Sequence, residues 1–311
     1  MNKPKPDIYE PPQHNYTSKK RCSYNRTHSI VSGSLVDVQP LVDIVALTLQ
    51  TAFVTDNVDG YRPASLLLIA KPESGKTTTM KEFDLLPFIY YSDEISVKPL
   101  IDKVFPKIQT KEYRFIMTSD ILNSIKKQAT TKEPLIQTLK SLVDEGVKKI
   151  DTYHKYYTFE TPIKAGLICG ITRSEFYAKQ ERYSFYSDFK RYGFLSRLIP
   201  FTYEYPIDRL DKIFRYVMSG NTEDSNVVVP KIRQFRREKH YELNEGLFSR
   251  LQRVSIELAQ YSDSYGIRVQ KNLQKLCYAD ALLNKRDSVA GEDVDKILYL
   301  SRWMNFDFNP L

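Results

Sequence analysis

The segment Ala70-Lys71-Pro72-Glu73-Ser74-Gly75-Lys76-Thr77 has the residue types and spacing of a phosphate-binding loop, with Ala70 where the first glycine usually stands. Backbone N–H groups from Ser74 to Thr77 would converge on a β-phosphate at the start of a helix. Lys76 would set a positive charge between the β- and γ-phosphates. The Thr77 hydroxyl is placed for Mg²⁺, and Thr78 follows in the same turn. Such a loop needs an acidic residue at the end of a neighbouring strand, and the hydrophobic residues 114–119 lead into Asp120. Many hydrolases carry a glutamate next, which polarises the attacking water; here Ile121 follows. Asp93 and Glu94, at the end of another short apolar run, are the alternative acids, unless they form a helix cap or a surface turn. Thr172 ends a further apolar run and would contact the γ-phosphate or the water, or else cap the next turn. These residues imply ATP and Mg²⁺ as cofactors and an ATPase activity, slow where the expected glutamate is missing.

The elements that must position them read as alternating strands and helices. Residues 65–70 form a continuous apolar run, the pattern of a buried parallel strand, and a helix starts near Lys76. Further strands are expected over 88–91, 113–118, 156–159, 165–171 and 198–203, the third and fourth of these joined around Pro162. Helices are expected over 35–53 and 134–147. The fold class is therefore α/β, a parallel sheet flanked by helices. Beyond residue 240, apolar residues recur at helical spacing (Leu243, Leu247, Leu251, Val254, Leu258), which predicts an all-helical C-terminal unit. The expected organisation is an extended basic arm over 1–34, an α/β core over 35–230 and a helical lid over 231–311.

Of the 311 residues 41% are hydrophobic and 27% charged, which excludes wholesale disorder. The longest apolar runs fall far short of the ~20 residues of a membrane span, and the Pro- and Lys-rich start lacks the apolar centre of a secretory leader. Three dispersed cysteines argue against a disulfide framework and for a reducing, cytoplasmic compartment. The net charge of +8 is concentrated in residues 1–30 and 231–240, as expected either for a polyanionic partner or for solvated tails and linkers. Residues 147–157 interleave Lys148, Lys149 and Lys155 with Tyr156 and other aromatics, a pattern suited to phosphate contacts and base stacking, or to an edge strand with solvated charges.

Taken in order, these motifs resemble the AAA+ ATPases, in particular the replication branch that includes the minichromosome-maintenance helicases, and also the compact P-loop proteins of phages and mobile elements. The resemblance covers about residues 36–311. It includes Gly193-Phe194-Leu195-Ser196-Arg197-Leu198, similar to an arginine-finger segment, and residues 206–211, similar to a Pro-Asp-rich turn. Residues 267–273 and 288–294 are similar to a lid in which an arginine opens one helix and a threonine caps the last. Ala290 stands at that cap position, so a cap worth ~1 kcal/mol is absent. The resemblance implies an AAA+ core with a lid, assembled as a hexameric ring or filament. Arg197 would reach the neighbour's ATP, Arg268 would sense nucleotide, and a hairpin over 147–157 would grip DNA. Where the family has an N-terminal DNA-binding barrel, only the short basic arm is expected ahead of the ATPase core. Two functions follow. One is a helicase-like or initiator-like motor on DNA, working with replication or mobile-element proteins and away from membranes. The other is a nucleotide-gated scaffold of transposition, plasmid maintenance or antiviral defence with weak turnover.

Overall fold

The computed structural model describes residues 29–32, 35–126, 129–152, 155–178, 185–219, 227–262 and 264–311. The strands of the main sheet and its hairpin are β1 Leu66–Ala70, β2 Ile89–Tyr91, β3 Phe115–Thr118, β4 Val147–Thr152, β5 Lys155–Ile163, β6 Gly166–Thr172 and β7 Ile199–Thr202. The main helices are α1 Gln39–Gln50, α2 Lys76–Lys81, α3 Ala129–Val143, α4 Ile207–Ser219, α5 Glu245–Ala259, α6 Ile267–Leu283 and α7 Gly291–Leu300.

Five strands form one parallel sheet in the order β2-β3-β6-β1-β7, so the strand leading into the phosphate-binding segment lies between β6 and β7. Both faces are covered, as the unbroken apolar strands require. Leu66, Leu68, Phe115, Met117 and Ile168 face a core shared with α1, α6 and α7. Leu67, Ile69, Ile116, Leu167 and Ile171 face the other core, closed by Leu135, Leu139 and Leu142 of α3 and by Phe105 and Phe189. The α/β reading with a parallel sheet flanked by helices therefore holds.

Several boundaries differ from the sequence expectation. Helix α3 ends at Val143, and Val147 already begins β4. Pro162 lies inside β5 rather than between two strands. It is tolerated because, among the described residues, β5 pairs with β4 alone, leaving an open edge where no N–H is needed. β4 and β5 form an antiparallel hairpin, with Ile150 opposite Tyr157, outside the main sheet. The last residues assigned to the arm are part of the fold: Ser29–Val31 pairs with Val228–Pro230, while residues 1–28 lie outside the described residues.

The C-terminal residues are helical but not set apart. Lys239–His240 pairs in parallel with Val54–Thr55, α6 packs on α1, and Glu204 bridges to Pro310. Among the described residues one apolar core runs from α1 through the sheet face into α6 and α7. The basic stretch 231–240 is partly absorbed by this junction. Arg233 donates to the Leu282 carbonyl at 3.1 Å, Lys239 pairs with Asp287 at 2.5 Å, and Glu238 takes Arg114 and Lys111. The start of α7 is not left bare by Ala290: the Asp293 carboxylate accepts its N–H at 2.7 Å. Among the described residues no helix is long and apolar enough to cross a membrane.

Candidate nucleotide site

The segment 70–78 follows β1 directly and opens α2, a short helix of six residues. Gly75 sits at φ +80°, the left-handed turn that lets the chain fold back into the helix. Lys71, Pro72 and Glu73 are exposed, Ser74 and Lys76 are buried, and Thr77 and Thr78 are open to solvent. The Lys76 ammonium donates to the Ala70 carbonyl at 3.1 Å, the Lys71 carbonyl at 2.9 Å and Ser74 Oγ at 2.9 Å. All three of its protons are thus held by the loop itself. Burial lowers its pKa to about 8, against the pull of the Asp120 carboxylate.

Asp120 thus acts on Lys76 although β3 is not adjacent to β1; β6 stands between them. The crossing depends on Gly170. A Cβ there would lie 2.3 Å from the Ser119 carbonyl oxygen, so only glycine lets residues 119–121 pass over β6. The Ile121 N–H then bonds the Gly170 carbonyl at 3.0 Å. Thr172 is paired directly with Ala70 at the end of the sheet. Its hydroxyl donates to Glu175 Oε2 at 2.7 Å, and Lys126 pairs with the same carboxylate. Asp93 and Glu94 are exposed beyond β2, the edge strand, with β3 and β6 between them and β1; Tyr91 donates to Asp93 at 3.3 Å.

Several residues at this site carry no sequence signal near the loop. Tyr203 and Tyr205, at the end of β7, both donate to the Ser74 carbonyl, at 2.9 and 2.6 Å. Glu204 between them pairs with Lys71 at 3.6 Å and Arg173 at 3.3 Å. The Tyr-x-Tyr pattern following an apolar strand is the signal that marks them.

Arg197 and Arg268 meet, but not at the loop. Asp144, in the turn between α3 and β4, lies 2.9 Å from Arg197 Nε and 3.1 Å from Arg268. The Arg197 Nε–H is not aimed at that oxygen, so the contact is ionic rather than a formed hydrogen bond. Burial lowers the Arg197 pKa; Asp144 opposes this and Arg268 adds to it. A cavity of about 390 Å³ opens beside them, lined by Lys190, Ser196, Tyr265 and Arg268 among others.

On the hairpin, Lys148 and Lys149 are exposed and Tyr156 is 61% exposed. Lys155 pairs through its backbone with Thr152, and residues 153–154 lie outside the described residues. Among the described residues no cluster of three or more histidine, cysteine or acidic side chains could hold a metal alone. A Mg²⁺ ion held mainly by phosphates and water needs no such cluster, and the exposed Thr77 hydroxyl with Asp120 fits that smaller requirement. No family model matches the chain, and no curated protein matches it either.

Proposed function

We propose that this chain binds ATP at residues 70–78 and hydrolyses it as an AAA+-type ATPase in a homo-oligomer acting on DNA. The observation that carries the reading is the buried Lys76 at the mouth of a strand–loop–helix, under the field of Asp120 brought across at Gly170. In this reading the loop amides and Lys76 hold the β- and γ-phosphates, with Lys76 exchanging its three loop acceptors for phosphate oxygens. Thr77 and Asp120 would hold Mg²⁺, which supplies charge neutralisation on the phosphates. Thr172 orients the γ-phosphate or the water. Arg197 and Arg268, tied to Asp144 and not to their own loop, serve a neighbouring subunit's nucleotide. The exposed Lys148 and Lys149 of the hairpin supply phosphate contacts to DNA.

A second reading, a nucleotide-gated scaffold with weak turnover, is favoured by Ile121, which is fully buried where a catalytic glutamate would stand. The experiment measures ATP binding and hydrolysis by wild type and Lys76→Ala, with and without single- and double-stranded DNA. Loss of ATP binding in Lys76→Ala is expected, with DNA-stimulated hydrolysis in wild type. Equal ATP affinity in both proteins would end the nucleotide reading. Binding without turnover or DNA response would leave the scaffold.

A further inference from the structure

We propose that Glu175 is the general base of the hydrolysis, the group that takes the proton of the attacking water; this rests on the ATPase reading above. The position after Asp120 is closed to that role, because Ile121 packs wholly inside the core with Leu122, Ile125 and Ile171. The base must therefore come from another element at the same end of the sheet. Glu175 sits one turn beyond β6, the strand that runs directly beside β1. Its carboxylate is anchored from two sides. Thr172, opposite Ala70, donates to it at 2.7 Å, and Lys126, which follows the short helix Leu122–Ile125 after Asp120, pairs with it. One carboxylate is thus tied to the end of β6 and to the segment that follows Asp120, and a third of its side chain remains open to water.

The other acids are less well placed. Asp93 and Glu94 follow the edge strand, three positions from β1 in the sheet, a lateral distance of about 14 Å at the usual strand spacing. Glu204 follows β7, the strand on the other side of β1, and is held by Lys71 and Arg173, two cations rather than one. Lys126 is the charged side chain facing Glu175; with the Thr172 hydroxyl it holds the carboxyl below its ordinary range, so the group is ionised and able to accept a proton at neutral pH.

In the step, the water oxygen bonds to the γ-phosphorus while one of its protons passes to the Glu175 carboxylate. The bond from that phosphorus to the β,γ-bridging oxygen breaks, and its electron pair leaves with ADP. Glu175 then returns the proton to solvent, leaving ADP, phosphate and one proton as products. Glu175 touches the reacting water; Lys126 and Thr172 position it.

The test uses the full chain with Mg-ATP and compares Glu175→Gln, Glu175→Asp, Glu204→Gln and Lys76→Ala. Equilibrium binding of ATP and single-turnover hydrolysis are read separately. Glu175→Gln should bind ATP as wild type does and hydrolyse it about 10²–10⁴-fold more slowly, with Glu175→Asp between the two. Wild-type turnover in Glu175→Gln, beside an inactive Lys76→Ala, would overturn the proposal while leaving the ATPase reading standing. So would a loss confined to Glu204→Gln. If Glu175→Gln does not fold by circular dichroism, Lys126→Met decides. Removing the ammonium should move the acid limb of the hydrolysis–pH profile to higher pH, and an unmoved limb would exclude Glu175. A wild-type chain that binds no ATP removes the reading and the proposal together.

Discussion

Lys76 and the two tyrosines that face its loop set the state of the site at the scale of single residues. The ammonium is fully occupied by Ala70, Lys71 and Ser74, so the loop is closed on itself and, in the proposed ATP site, would have to reopen toward a phosphate. Its shape is fixed from outside by Tyr203 and Tyr205, which share the Ser74 carbonyl. Removing both hydroxyls leaves that buried carbonyl with neither donor, and each such bond is worth about 0.5–1.5 kcal/mol. Tyr203→Phe with Tyr205→Phe should therefore weaken ATP binding about tenfold, equivalent to ~1.4 kcal/mol, with Tyr203→Phe alone showing the smaller part. Calorimetric titration checks this, and unchanged affinity in the double variant would show that the hydroxyls do not shape the loop. The strand, loop and helix that carry Lys76 were legible in the sequence because they are contiguous. Tyr203, Tyr205, Glu175 and Asp144 were not, because each acts through a partner brought near only by the fold; Tyr203 reaches Ser74 across 129 residues of chain.

Among the elements, the crossing of residues 119–121 over β6 decides whether Asp120 belongs to the site at all. The sequence offered Asp120 as the end of a strand neighbouring the loop. The sheet instead places β6 between, and the missing side chain of Gly170 removes the obstacle. Gly170→Ala would force the Ser119 carbonyl away from a contact of 2.3 Å, at a cost of about 1–3 kcal/mol in stability. Because the displaced segment carries Asp120, hydrolysis should fall further than ATP binding does. Denaturant unfolding and turnover measured on the same preparation check both parts, and a destabilised variant with unaltered turnover would dissociate Asp120 from catalysis. The parallel strands were legible because strands buried on both faces read as unbroken apolar runs. The hairpin over 147–157 came from the family resemblance alone; in the residues Pro162 read as a break, and the open edge of β5 makes it compatible with a strand.

Across the whole molecule, the helical C-terminal residues and the α/β core are joined rather than hinged at the junction of α6. Lys275 is completely buried and donates to the Gly60 carbonyl at 2.6 Å, Arg62 reaches Asn272 at 3.1 Å, and Asp59 takes both Arg62 and Lys271. Burial works against the charge of Asp59, but Arg62 and Lys271 outweigh it and hold its pKa at about 2. The folded value lies below the ordinary 3.8, so this carboxylate adds stability above that pH, and the contribution is lost as pH falls from about 4 toward 2. Asp59→Asn should cost on the order of 1–2 kcal/mol at pH 7 after allowance for solvent screening, and progressively less below pH ~4. Unfolding curves across that range test it; a constant difference would place the effect in packing. At the same scale stands the proposed assembly. Arg197 and Arg268 share the Asp144 carboxylate beside an open cavity, and the field of Glu145 also reaches Arg197. In the proposed oligomer the anion that they meet would be the neighbour's γ-phosphate. Arg197→Ala should then leave ATP binding intact and lower hydrolysis by about 10³-fold or more, the usual worth of an arginine finger. Mixing distinguishes a finger that acts across subunits from one that acts within its own. A Lys76→Ala subunit has no working loop but still carries Arg197, and an Arg197→Ala subunit has the loop without the finger. Each is inactive alone. In mixed particles, hydrolysis should return at interfaces where the intact loop faces the intact finger, and rise with the mixing ratio toward a maximum near equal amounts. Mixed particles confirmed by size that remain inactive at every ratio would confine Arg197 to its own subunit.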